Sequence, residues 1–492
     1  MSFVNGPIPQ RLKLVHGSGA IAFGVKDSGF SFFLLPYYNL VLGVEAGTVA
    51  LALATALLID AFVDPLIGHL SDRTYTRWGR RLPWLYLAPI PLAFVWTLLW
   101  SPPVTGTPGF TEIVALAVGV RLLLSACEVP SVSLVPEITD DYDERTTLFR
   151  YRFLSGWIGG LLMMVMAFTV FLPTPADQLQ QDGYAAYGVF GAVIIAFSVI
   201  GSAAGQHRII ARRPALKPPP FSLKGAFAEI ADAFKERAFL IFAAGGLAAY
   251  ISQGMTFSIT QYVNNYIWQF GERGFQLYPA VLFASVILMF LIVGPLHKHF
   301  GKPRSAAGGV IVAFVFYFAP YAFLLAGMWP EPGTTLSTAL VLFLLVFANT
   351  AGVVGIISAT SMVAEIVEAF EERTGKRAEG TFYSGNWLVQ KCATGGGILL
   401  TGLIVQSLGI EQGTPQDEVS QDVVLQLALL YMLVSAVLVV VAAYFLARFP
   451  ITRAQHEARV AAKSRRAAGE DDQPDPIDQA VRVDPDANAL KP

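Results

Sequence analysis

Apolar runs of about twenty residues recur from one end of this chain almost to the other, and nothing else in it restricts the fold as much. About 20 apolar residues in a helix cross a hydrocarbon core of roughly 30 Å, and a backbone in lipid must satisfy its own hydrogen bonds. The runs lie near 18–42, 46–70, 82–101, 111–136, 150–172, 185–206, 237–266, 276–296, 304–328, 335–364, 380–408 and 422–448. They predict an all-α integral membrane protein with twelve transmembrane helices. Only 14% of the 492 residues are charged, well below the roughly 25% of a soluble domain. The first run is longer than the core of a cleavable signal and has no small-residue cleavage site, so it counts as a span.

Charge placement supports the same topology. The segments 43–46, 102–110, 173–184, 329–334 and 409–421 contain no Lys or Arg, and Arg273 alone falls on their side. The remaining loops and both termini are basic. Lys and Arg concentrate on the cytoplasmic side, so both termini are expected inside. Residues 207–236, which include Pro218-Pro219-Pro220, read as a cytoplasmic linker carrying a surface helix in its second part. They divide the chain into two six-helix halves, 1–206 and 237–448, followed by a tail at 449–492. The tail reads as a basic surface helix and then a disordered acidic end. GHLSDRTYTRWGRR has a worn counterpart in GPLHKHFGKPRS, with Gly68 and Gly294 each opening a short basic loop. Repeated halves around a central site are a common carrier architecture. Cys127 and Cys392 both lie in spans, so no disulfide framework is expected.

Asp60 and Asp64 sit inside the second run, one helical turn apart on the same face. An ionisable group at mid-membrane is costly and faces the protein interior or a water-filled cavity. Two adjacent carboxylates repel, and a cation between them relieves the repulsion while they supply hard oxygen ligands. The alternative is pairing with buried basic residues, for which Lys26, Arg121 and Lys391 are available. Lys26-Asp27 interrupts the first run, Arg121 and Glu128 share a face of the fourth, and Lys391 interrupts the eleventh. Asp27 and Glu128 are read as a polar binding site. HExxH, GxxxxGK[ST] and GxSxG are all absent, so an integral-membrane enzyme is not expected, nor is an organic cofactor or a nucleic-acid partner. Twelve spans in two related halves suit alternating access better than a channel.

DAFVDPLIGHLSDRTYTRWGRRLPW at 60–84 resembles the second-helix signature of the glycoside–pentoside–hexuronide cation symporters, a branch of the major facilitator superfamily that includes the melibiose permease. EVPSVSLVPEITDDYDERTTLFRYR at 128–152 and MVAEIVEAFEERTGKRAEGTFYSGNWLVQKCATGGG at 362–397 resemble two further stretches of that family. The resemblance implies a major facilitator fold and cation-coupled uptake of a sugar or glycoside in the inner (plasma) membrane, with a monomer as the default expectation. It implies that Asp60 and Asp64 hold the coupling cation, usually sodium although a proton is an alternative. It places Ser125 at the position of a threonine of the same site and Lys391 at a coupling lysine. Asp27, with Lys26 beside it, matches a sugar-hydroxyl acceptor, and Arg152 matches a substrate-site arginine. Two positions depart from the pattern. Glu128 stands where the melibiose permease has an aspartate, and Val132 where a tryptophan would face the sugar ring. Trp387, four residues before Lys391, is a substitute platform or an ordinary packing residue. A carrier of another amphiphile, such as a lysolipid, is the rival reading.

Overall fold

The computed structural model describes residues 6–211, 231–374, 378–410, 413–415 and 418–451. Residues 212–230 of the expected linker and the tail from 452 onward lie outside the described residues; of the expected linker helix, 231–236 are described, helical at 231–233. Among the described residues the fold is helical throughout, apart from a single isolated bridge between Thr76 and Gly79.

The first apolar run is not one helix. It consists of α1 (Gln10–Ser18), α2 (Ile21–Ser28), a π turn at Gly29–Phe33, α3 (Leu34–Pro36) and a second π turn at Tyr37–Val41. Such π turns are common where a helix carries function, and Lys26-Asp27 lies just before the first of them. The second run is α4 (Ala46–Asp72), and the third is split into α5 (Leu82–Leu87) and α6 (Pro89–Trp100). Pro83 and Pro89 occupy the first turns of these two pieces, where a missing N–H costs nothing. Then come α7 (Phe110–Ser133), α8 (Val135–Ile138), α9 (Tyr142–Met166) and α10 (Gln181–Ile210). Asp141 caps α9, its carboxylate accepting from the Glu144 N–H at 2.9 Å.

The second half contains α11 (Arg237–Tyr262), α12 (Glu272–Leu325), α13 (Thr335–Thr374), α14 (Glu379–Ser407) and α15 (Gln421–Ala447). The 54-residue α12 is broken at Gly301 (φ 75°, ψ 167°), so it spans two of the expected runs. Gly79 has φ 97°. The two related loops thus turn on glycines that tolerate the left-handed region, at Gly79 and Gly301. Gly68 and Gly294, expected to open these loops, lie within α4 and α12 instead. Nine helices among the described residues are long and apolar enough to cross a membrane. Their outward faces present Phe197, 75% exposed, and Leu291, 68% exposed, which suits lipid rather than water.

Backbone-to-backbone packing sets the helix positions. A Cβ on Gly24 of α2 would lie 1.8 Å from the Gly156 carbonyl of α9, so these helices touch without side chains between them. On the other side, Gly402 and Gly395 of α14 press against Ala46, Ala50 and Ala54 of α4. This contact joins the two halves of the chain. Further links gather at the same end, away from the basic loops. Tyr262 donates to Asn39 at 2.9 Å, and the Gly413 N–H donates to the Leu40 carbonyl at 2.8 Å. Gln178 accepts from both Gln261 and Asn265, Gln406 bonds Glu45, and Phe168 lies 5.2 Å from Phe275. Toward the basic loops, α4 leaves Phe62, Leu66 and Leu70 exposed. The molecule is closed at the end away from the basic loops.

Candidate functional site

The α4–α14 contact ends at a charge cluster. Lys391 Nζ of α14 lies 2.9 Å from Asp60 Oδ2 and 2.7 Å from Asp64 Oδ2, with the Asp60 carbonyl oxygen 3.4 Å away. Arg121 of α7 donates from Nη1 to Asp60 Oδ2 at 3.2 Å. Its guanidinium also stacks 4.6 Å above the Phe30 ring, in the first π turn. The other edge of each carboxylate faces Ser125, whose Oγ is 3.3 Å from Asp60 Oδ1 and 2.6 Å from Asp64 Oδ1. Two aspartates one turn apart on α4 therefore turn one oxygen each toward a hydroxyl and one toward basic groups. Asp60, Arg121 and Ser125 are buried, whereas Asp64 and Lys391 are partly open. Pro65, next to Asp64, removes one N–H from the helical ladder of α4 at this level.

A second pair lies further along α7. Residues 121, 125 and 128 fall on one helix face, and Glu128 sits ~4.5 Å along the axis from Ser125 at 1.5 Å per residue. Arg152 of α9 is buried, and its guanidinium forks between Glu128 Oε1 at 2.5 Å and Ser131 Oγ at 2.5 Å. Glu128 keeps more than a quarter of its side chain open. On α2, the Lys26 ammonium is buried 3.5 Å from Asp27 Oδ1 and 4.5 Å from the Phe23 ring. It lies within electrostatic reach of Asp60, Arg121 and Lys391. Asp27 is more than half exposed, and so is Trp387.

The structure thus joins Asp60, Asp64, Ser125 and Lys391 in one cluster, with Arg121 as a fifth member, and Glu128 with Arg152 in another. Lys26 borders the first cluster electrostatically. Asp27 and Trp387 are open side chains. Sequence reasoning passed over Ser131 and Phe30. Ser131 sits one turn after Glu128 on the same helix and was available by spacing. Phe30 carries no mark distinguishing it from the other phenylalanines of the first run.

The Oδ1 atoms of Asp60 and Asp64 and Ser125 Oγ converge within hydrogen-bonding distance, which gives a small hard cation three oxygens from two helices. The same cluster holds two resident cations, so the carboxylates are neutralised as they stand.

The family model for MFS/sugar transport proteins matches residues 15–453. The chain belongs to that family. An uncharacterised symporter of Synechocystis is 26% identical over an alignment of 479 positions that covers 83% of this chain and 87% of that one. The isoprimeverose transporter of Lactiplantibacillus pentosus is 31% identical over 163 residues, about a third of either protein (32% and 34%). Among solved structures, a bacterial homologue of the human lysosomal transporter Spinster in an inward-facing, unoccupied conformation is similar with a TM-score of 0.63. Its identity is 15%, with 89% of this chain and 95% of that one covered. At that identity the likeness speaks for the major facilitator fold alone. These matches agree with the family resemblance carried by residues 60–84, 128–152 and 362–397. This member of the MFS/sugar transport family is therefore a multi-pass integral membrane transporter and not an enzyme. In a bacterium its place is the inner membrane.

Proposed function

We propose that the protein is a cation-coupled symporter of a sugar or glycoside, acting as a monomer by alternating access between two six-helix halves. The twelve-span count, the division at 207–236 and the cytoplasmic termini belong to this proposal, and so does sodium as the coupling ion. The observation that carries it is the three-oxygen convergence of Asp60, Asp64 and Ser125 at the point where α4 and α14 part.

In this reading the cation enters past Asp64, the open member of the pair, and takes the Oδ1 edge. Neutralising the aspartates weakens their hold on Lys391, the cluster's one cation from the opposite half. The halves are then free to rock. Glu128, one helical turn beyond Ser125, shares α7 with the cation site, so closing α7 onto α4 also positions the substrate group. Glu128 and Asp27 accept substrate hydroxyls, since a carboxylate accepts several hydrogen bonds in a dry pocket. Arg152 holds Glu128 in place, Lys26 does the same for Asp27, and Trp387 offers an apolar face. The Synechocystis relative, called a symporter, supports coupled transport, and the isoprimeverose transporter supports this class of substrate.

The test is a panel of labelled monosaccharides, glycosides and lysolipids presented to proteoliposomes under imposed sodium or proton gradients. Concentrative uptake of one sugar or glycoside supports the proposal. Uptake of lysolipid alone would transfer it to the amphiphile reading that Val132, in place of an aromatic platform, keeps open.

A further inference from the structure

Asp60, Asp64, Arg121 and Lys391 form a group whose formal charges sum to zero, with Asp60 and Arg121 buried and Asp64 and Lys391 partly open. A monovalent cation that joins Ser125 and the two Oδ1 atoms adds a positive charge where little water screens it. Two residents can answer that excess, and the structure treats them differently. Lys391 is about one-fifth exposed and comes from α14, and its ammonium sits on a flexible four-carbon stem. Such a group swings away when its carboxylates are neutralised. Arg121 comes from α7, in the same half of the chain as the aspartates. Its planar guanidinium is fixed between Asp60 Oδ2 at 3.2 Å and the Phe30 ring at 4.6 Å, and only 6% of the residue is exposed.

We propose that Arg121 is a tethered cation built into the coupling site, and that its fixed charge sets how tightly the site binds a free one. The inference rests on the assignment of Asp60, Asp64 and Ser125 as the cation site. It adds a specificity-determining residue to that site. Lys391 leaves and returns with each cycle, whereas Arg121 stays and repels the incoming ion throughout. The site is thereby kept weak and exchangeable. Arg121 also turns Asp60 Oδ2 away from Ser125, leaving only Oδ1 for the ion.

The experiment is equilibrium binding of radioactive sodium to the purified full-length protein in detergent, read without any transport step. Arg121→Gln keeps a hydrogen-bond donor for Asp60 and removes the charge. It should tighten sodium binding by roughly tenfold or more, given the strength of unit charges a few ångströms apart at a protein site. Arg121→Lys keeps the charge and should stay within about threefold of the parent. Phe30→Leu removes the ring that clamps the guanidinium, and should tighten binding by roughly threefold. This milder variant serves if Arg121→Gln fails to elute as a single species. Asp64→Cys should abolish binding in every background.

Sodium binding that is Asp64-dependent but no tighter, or weaker, in Arg121→Gln and Phe30→Leu would overturn the inference and leave the cation site standing. If no variant binds sodium in an Asp64-dependent way, the site assignment itself falls. Asp64-dependent binding in Arg121→Gln with none detectable in the parent would also support the inference, the fixed charge having weakened the parent's site below detection.

Discussion

Replacing Gln178 by leucine tests what keeps the end away from the basic loops closed. Gln178 lies in the turn between α9 and α10, and its Oε1 accepts from Gln261 Nε2 at 2.5 Å and from Asn265 Nδ2 at 2.9 Å. All three side chains are buried. Both donors belong to the opposite half, so the bonds exist only while that end is shut. Asn265 keeps a second acceptor in the Gln261 carbonyl, 3.0 Å away, so the loss falls mainly on Gln261. A buried donor left unpaired costs about 1–3 kcal/mol. One donor lost fully and another in part is about 2 kcal/mol, or roughly a 30-fold shift toward the open arrangement. Leucine matches the volume, and in the open state position 178 faces water, so folding should survive. The assay is pulsed electron paramagnetic resonance between spin labels on Thr105 and Glu331, both exposed at this end, with Cys127 and Cys392 replaced by serine. The variant should show a new, longer distance population. A distribution identical to the parent's would refute the claim that this amide cluster holds the end closed.

Two other substitutions probe the binding group and the helix packing. Glu128→Gln removes the charge partner of Arg152 while keeping an oxygen for it. Substrate affinity should fall by about 10- to 100-fold, the worth of one charged hydrogen bond, with sodium binding retained; substrate affinity equal to the parent's, measured by calorimetry, would remove Glu128 from the site. Gly24→Val places a side chain where the Gly156 carbonyl and the Gly160 N–H already stand, at 1.8 and 2.7 Å from an added Cβ. No side-chain rotation relieves a clash with backbone, so the monodisperse peak in size exclusion should be lost; a normal peak would mean that α2 and α9 are further apart than described.

The helical fold was legible because lipid leaves a chain so few choices. A run of apolar residues becomes a helix whatever its neighbours do, and basic residues mark one side. Local breaks were less legible. Nothing in residues 18–42 except Gly29 and Pro36 hints that the first run carries two π turns, because the run is apolar on nearly every face and the turn of about 100° from one extra residue leaves no mark in it. At the proposed cation site, the four-residue spacing of Asp60 and Asp64 put both on one face, but Lys391 is 327 residues from Asp64. Periodicity cannot bring such residues together; the cost of a charge in the membrane only named Lys26, Arg121 and Lys391 as available partners, and the family resemblance added a coupling role for Lys391. Three buried basic residues could have neutralised the aspartates. The structure assigns direct contacts to Arg121 and Lys391 and pairs Lys26 with Asp27. The amide cluster of Gln178, Gln261 and Asn265 left no trace in the sequence, since glutamine and asparagine near a span end are ordinary.

The central claim is coupling through the two aspartates, and a sodium-jump measurement on proteoliposomes reaches it most directly. Parent protein and Asp64→Cys are reconstituted side by side, loaded without sodium, and given the transported sugar with or without external sodium. The parent should accumulate sugar only with the inward sodium gradient. Asp64→Cys should lose the sodium stimulation and retain downhill exchange, because the substrate group on Glu128 and Arg152 is untouched. Full sodium-stimulated accumulation by Asp64→Cys would contradict the account and leave the aspartates as structural partners of Arg121 and Lys391.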